Sequence, residues 1–217
     1  MKTTMVKRLF AGMLLAGMAF TAVHAADDAK ENRKKDNAKH VLVVGLNDNV
    51  RSNYFPGQMI TEETGIPTDS IDVTYNRAIA ENIATATKDE NYVFVPACSK
   101  QQWGNVLNEI KLSGSDEETY ADLSEVDKAS MEKMLDEAGA DYVLILNQHY
   151  LKWQEQPMRT VFHFVTYSVY DKDKKEITRG SNYFTCMKPE DADQIRKASR
   201  KSTSKIASTV IKNISNK

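Results

Sequence analysis

Cysteine is scarce: Cys98 and Cys186 are the only two in 217 residues. That leaves room for one disulfide, and no base stands beside Cys98 to make it a nucleophile. Histidine is equally thin. Past the amino-terminal segment only His40, His149 and His163 occur, and none falls in an HExxH or other ligand-spaced cluster. Glycine is too sparse for phosphate chemistry. Val43–Asn49 reads VVGLNDN, with Gly45 alone where a nucleotide fold needs spaced glycines or a P-loop lysine–serine pair. No Gly-x-Ser-x-Gly elbow occurs. A basic excess is missing too: 29 Lys and Arg stand against 30 Asp and Glu, which disfavours general nucleic-acid binding. No fixed period recurs, which argues against a solenoid or propeller. These absences lead to the expectation of a protein with no enzymatic activity and no cofactor or metal.

What is present begins with a leader. Lys2, Lys7 and Arg8 precede the apolar run Leu9–Phe20, and Val23-His24-Ala25 has the small-x-small form of a signal-peptidase site. The run is shorter than the roughly 20 residues that span a bilayer comfortably. Residues 1–25 therefore read as a signal peptide, with an uncleaved anchor as the alternative. No cysteine follows the run, so a lipid anchor is not expected. Removing Lys2, Lys7 and Arg8 leaves 26 basic against 30 acidic residues, a formal charge of −4. Residues 26–40 are charged and lack a buried pattern, as a flexible tether would. The destination is the periplasm or, further out, the extracellular medium.

The remainder, 41–214, has the length for one hydrophobic core. Val41–Leu46 is an unbroken apolar strand, and Tyr92–Pro96 is a second. Between them Asn47–Asp72 looks long and irregular, and Tyr75–Thr87 is helical. Gln101–Leu112 reads as a short helix and Ser113–Thr119 as an acidic surface loop. A helix carrying Val126, Met134 and Ala138 along one stripe stops at Gly139, a residue suited to a left-handed cap. The strand Tyr142–Leu146 follows at once. Thr160–Tyr170 and Glu176–Thr185 alternate in period two about a charged turn, as a β-hairpin does. Ala192–Ile214 closes the chain as a helix. The fold class is α/β: a single two- or three-layer domain with a mixed sheet of about five strands, an antiparallel hairpin and a closing helix.

Candidate working parts are few. The Asn47–Asp72 loop leaves the carboxyl end of a central strand, where α/β sheets place ligands and contacts. Its Tyr54, Phe55, Met59 and Ile66 are the interaction candidates, read as an exposed apolar patch, with pinning of the loop to its own domain as the alternative. Cys98 and Cys186 lie just past two strand ends and form either a disulfide or two free thiols. A bridge there would add about 4–5 kcal/mol by chain entropy. The last helix carries Arg196, Lys197, Arg200, Lys201 and Lys205, a basic face that gives a weak option for anionic surfaces. Asp48, Cys98 and His149 would serve the alternative reading, an exported hydrolase or small-ligand-binding protein with its site at the strand ends.

Three pieces in order, VLVVGL, YVFVP and AGADYVLILNQHYL, resemble the compact α/β domain shared by three envelope proteins. These are the amino-terminal domain of the translocation protein TolB, the curli secretion component CsgG and the penicillin-binding-protein activator lipoproteins. Gly139-Ala140-Asp141 before Tyr142–Leu146 carries the group's helix-to-strand junction. Asp171 matches the group's hairpin turn, whereas Lys174 and Lys175 replace its threonine and glycine. The chain departs further in having no lipid-bearing cysteine, no following propeller and no pore-forming segment. The resemblance implies an envelope scaffold or assembly factor that works through contacts with other envelope proteins and has no catalytic residues.

Overall fold

A computed structural model describes residues 37–97, 103–158, 160–186 and 191–217. The signal peptide, most of the tether, Cys98 and the side chain of Cys186 lie outside the described residues. In chain order the elements are β1 (Lys39–Gly45), β2 (Val50–Ser52), α1 (Gly57–Thr64), α2 (Ile71–Ala86), β3 (Tyr92–Pro96) and α3 (Gly104–Glu109). There follow β4 (Lys111–Ser115), β5 (Glu118–Asp122), α4 (Lys128–Ala138), β6 (Tyr142–Gln154), β7 (Thr160–Asp171), β8 (Glu176–Cys186) and α5 (Ala192–Ser215).

The main sheet runs β3-β1-β6-β7-β8, and β2 also pairs with β6. β1 is parallel to both β3 and β6, in the register Val41↔Phe94 and Val43↔Leu144. Its four buried apolar residues, Val41–Val44, suit a strand covered on both faces. β6, β7 and β8 form an antiparallel meander of 13, 12 and 11 residues. They extend well beyond the five-residue β3. β2 resumes the line of β1 along β6, pairing Val50 with His149 and Ser52 with Leu151. Opposite the gap between β1 and β2, β6 has a bulge at Asn147, between the pairs Leu146↔Tyr167 and Gln148↔Thr166. A bulge puts two successive residues against one on the partner strand. Gln148 accordingly points to the same side as Asn147, and the alternation restarts from there.

Helices and a small hairpin make the outer layers. α2 and α5 pack on one face, burying Ile79 and Ile83 with Ile206 and Val210. Each such side chain contributes about 1.5–3 kcal/mol relative to exposure. α3, α4 and the β4–β5 hairpin cover part of the other face, around Leu42, Val44, Met131, Met134 and Ile145. Three layers result. α4 is capped at both ends. The Asp127 side chain accepts a hydrogen bond from Ser130 N at 2.8 Å, and Gly139 takes the left-handed cap at φ 60°. Asp141 then ties the junction to β1 by accepting from His40 N at 2.9 Å.

Two sequence expectations need correction. Asn47–Asp72 is not irregular: Pro56 and Pro67 flank the starts of α1 and of a 3-10 turn at Thr68–Ser70, and Gly65 caps α1. Pro56 and Pro67 are helix-entry residues, where a missing N–H costs nothing. Ser113–Thr119 is likewise not a loop but most of β4 and the turn into β5, with Asp116 and Gly114 at positive φ. The strand count among the described residues is therefore eight.

Candidate functional site

The gap between β1 and β2 is filled by a buried polar network. Asn49 and Asn76 bond reciprocally through their amides, at 3.0 and 3.2 Å. Asn49 Nδ2 also donates to Leu146 O, and Asn76 Nδ2 to Leu46 O, each at 3.0 Å. Where the ladder is interrupted, these bonds give Leu46 O a donor and Leu146 O a second one beside Leu46 N. Asn76 reaches them because Gly45 has no side chain: a Cβ there would lie 2.0 Å from Asn76 Cγ. His149 Nε2 donates to Asn76 Oδ1 at 2.9 Å, and His163 Nε2 lies 3.4 Å from His149 Nδ1. Both imidazoles are buried, with Tyr75 against them and Phe184 against His163. Burial drives the pKa of His149 down to about 3, against a smaller opposing pull from the Asp72 charge. Burial and the neighbouring His149 hold His163 well below the usual imidazole range. Two neutral rings locked between strands are structural members. They do not meet solvent as an acid–base pair.

Two clefts flank this network. One, of about 510 Å³, lies beneath the β2–α1 segment and is lined by Asp48, Arg51, Phe55, Thr68 and Asp72 among others. The second, about 500 Å³, opens at the ends of β1 and β3 beside Asn76, Arg77, Glu81 and Ala97. In the first, several polar groups are already engaged. Arg51 holds Asp48 in a two-pronged ion pair at 3.0 Å, and Asp72 accepts from Asp48 N at 2.8 Å. Asp48 faces solvent while the His149 ring is fully enclosed, so these two do not converge. Among the described residues no group of three or more His, Cys, Asp or Glu could hold a metal ion.

The four interaction candidates separate by burial. Tyr54 is 50% exposed, but Phe55 (7%) and Ile66 (8%) are core residues and Met59 is half-buried against them. The patch expected on the surface is thus mostly interior, because α1 and β2 fold the segment back on the sheet. Tyr54 stacks on Trp153 with ring centroids 5.3 Å apart, and Phe55 meets both rings edge-on. Asn53 pins this corner by exchanging hydrogen bonds with the Trp153 backbone, at 2.8 and 3.4 Å. On α5, Arg196 is tied to Glu81 and Asp193, while Lys197, Arg200, Lys201 and Lys205 remain exposed.

A surface missed in the sequence lies at the far end of the long meander. β4, β5 and α4 cover the near half of that sheet face, where Tyr170 Oη donates to Ala121 O at 2.7 Å and Ser168 Oγ bonds Ala121 N. Beyond them Phe162, Phe164 and Tyr183 form an aromatic cluster with centroids 5.4–6.4 Å apart. Tyr183 is 53% exposed and both phenylalanines are only partly buried. Lys152 bounds the cluster and is paired with Glu117 at 2.6 Å, a bond that keeps the Glu117 carboxyl below its usual range. One signal did exist. Val161 to Val165 is apolar on both faces of the strand save for His163, and such a strand needs cover on both sides.

No family model matches the chain, and no curated protein matches it. Several solved structures do. A variant PelC dodecamer from Paraburkholderia phytofirmans is 10% identical, covering 77% of this chain and 88% of that one, with a TM-score of 0.37. A lipoprotein from Neisseria meningitidis is 16% identical over 82% of this chain and 99% of its own, at 0.35. The C-terminal domain of LpoB from Salmonella enterica is 14% identical over 68% and 82%, at 0.30. No helix among the described residues is long and apolar enough to cross a membrane.

Proposed function

We propose that this chain is an exported cell-envelope protein that acts through protein contacts, as a scaffold or assembly factor, and not through catalysis. The observation that carries the reading is the aromatic face of Phe162, Phe164 and Tyr183, left open where the β4–β5 hairpin stops. Aromatic residues clustered on a partly exposed, rigid sheet are what contact surfaces are made of. The leader-like amino terminus supports export, to the periplasm or beyond. The first cleft supports the ligand-binding alternative less, since Arg51 is already paired with Asp48 there and Asp72 accepts from the Asp48 backbone.

Site-specific photocrosslinking in the envelope fraction tests it. A crosslinker at Phe164 should capture a discrete envelope protein, while one at the exposed Lys212 on α5 should not. Tyr183→Asp should abolish the capture with the fold unchanged by circular dichroism. Equal capture from both positions, or none from Phe164, would refute the assignment of this face.

A further inference from the structure

We infer that the outer edge of β8 pairs, antiparallel, with β8 of a second copy of this chain about a two-fold axis through Ser181. The inference rests on the same face being a contact surface but concerns a different element, the strand edge beside it. Among the described residues β8 has a strand neighbour on one side only, β7. It is 11 residues long and contains neither proline nor lysine, and from Gly180 to Cys186 it carries no charge. Edge strands are ordinarily blunted by shortness, proline or lysine, because their free N–H and C=O groups invite another strand. The opposite edge, β3, obeys that rule: it has five residues and ends at Pro96. β8 does not.

The side chains select the occupant. An axis through Ser181 sets Arg179 of one copy opposite Tyr183 of the other, twice, and Gly180 opposite Asn182. Arg179 and Tyr183 lie on the same sheet face, since Arg179 pairs across β7 with Ser168 and Tyr183 with Phe164. Directly opposite side chains are about 4.5–5.5 Å apart at Cβ, close enough to lay a guanidinium over a phenol ring. Arg179 already makes that kind of contact within the chain, 5.0 Å from the Tyr120 ring centroid, and is half exposed. On the other face Gly180 leaves room for the opposite Asn182. Pairing would also join the two Phe162–Phe164–Tyr183 clusters into one continuous aromatic strip. The segment 27–36 of this chain is a poor competitor for the edge, with eight charged residues in ten.

Sedimentation equilibrium of the purified protein is the test. The native sequence should form a concentration-dependent dimer. Tyr183→Arg, which opposes cations at both ends of the axis, should weaken the dimer by about tenfold or more. Adding Arg179→Glu to it should restore association, because the two changes together make ion pairs in this register alone. A native protein that stays monomeric at about 100 μM, or a dimer indifferent to Tyr183→Arg, overturns the pairing; so does a double variant that remains monomeric while folded by circular dichroism. Such a monomer that still crosslinks an envelope protein through Phe164 leaves the proposed function standing, and a dimer without that crosslink does the reverse.

Discussion

Acidification should destabilise this protein through His149 and His163 well before its carboxylates titrate. Both rings are neutral in the folded chain, His149 because burial holds it at about 3 and His163 because burial and His149 hold it well below the usual range. In the unfolded chain each returns to about 6.5. The unfolded state therefore binds more protons below pH 6.5. Stability that is fully present above that value is lost as pH falls toward the folded pKa. Between pH 7 and pH 5 the loss is about 2 kcal/mol for His149 alone, and His163 adds to it in the same direction. That is a large fraction of the stability of an ordinary domain. Urea denaturation at the two pH values measures it directly. The control is His149→Gln with His163→Phe: glutamine retains an N–H donor near Asn76, and phenylalanine retains an aromatic against Tyr75 and Phe184. The double variant should keep nearly all of its pH 7 stability at pH 5, and His163→Phe alone should save part of the loss while leaving the share due to His149. If native and double-variant proteins lose stability equally over this interval, the rings are not the acid-sensitive element and the argument from their enclosure is wrong.

Further predictions concern packing. Gly45→Ala should cost about 3 kcal/mol by urea denaturation, since its Cβ collides with Asn76. It should cost much less in an Asn76→Ala background, and equal costs in the two would mean another contact is responsible. Phe55→Ala should lose about 3 kcal/mol as a core deletion, whereas Tyr54→Ala at the half-exposed position should lose less than about 1, read from the same transitions. Asp127→Ala should lower the thermal midpoint by removing the α4 cap, and Asp127→Ser should restore most of it.

The sequence was most legible where local chemistry and burial agree. Gly139 ends α4 by its own conformational preference, and the alternation in Thr160–Tyr170 gives β7 its faces directly. Legibility failed where the stabilising partner is remote. β4 has no buried residue, so nothing in Lys111–Ser115 alternates in a readable way; it is a strand because β5 pairs with it. The β2–α1 segment was obscured by proline and glycine that punctuate short elements. Phe55 and Ile66 looked like surface residues only because that folding-back was not seen. Asn49, Asn76 and His149 are far apart in sequence, and no spacing rule connects an amide to a strand break. Their meeting follows from the register of β1, β2 and β6, which only the assembled sheet fixes. The aromatic face is a different case. Phe162 and Phe164 were visible as a row, but whether a layer covers them depends on how far the β4–β5 hairpin extends.

The short interval between β1 and β2 carries a constraint on length that is independent of its composition. Leu46 and Asn49 both bond to β6 across the gap, Leu46 N to Leu146 O and Asn49 O to His149 N, and the Asn147 bulge lies opposite. Several residue types can occupy the exposed Asn47, while Asp48, also exposed, sits at φ 49°, where Asp, Asn and Gly are favoured. Deleting or inserting one residue there is another matter. It would turn β2 over, exchange the sides on which Val50 and Arg51 stand, and carry Phe55 out of the core. Natural variation at this point should therefore take the form of substitutions, and an engineered insertion should be tolerated only in compensating pairs, one in the gap and one at the bulge.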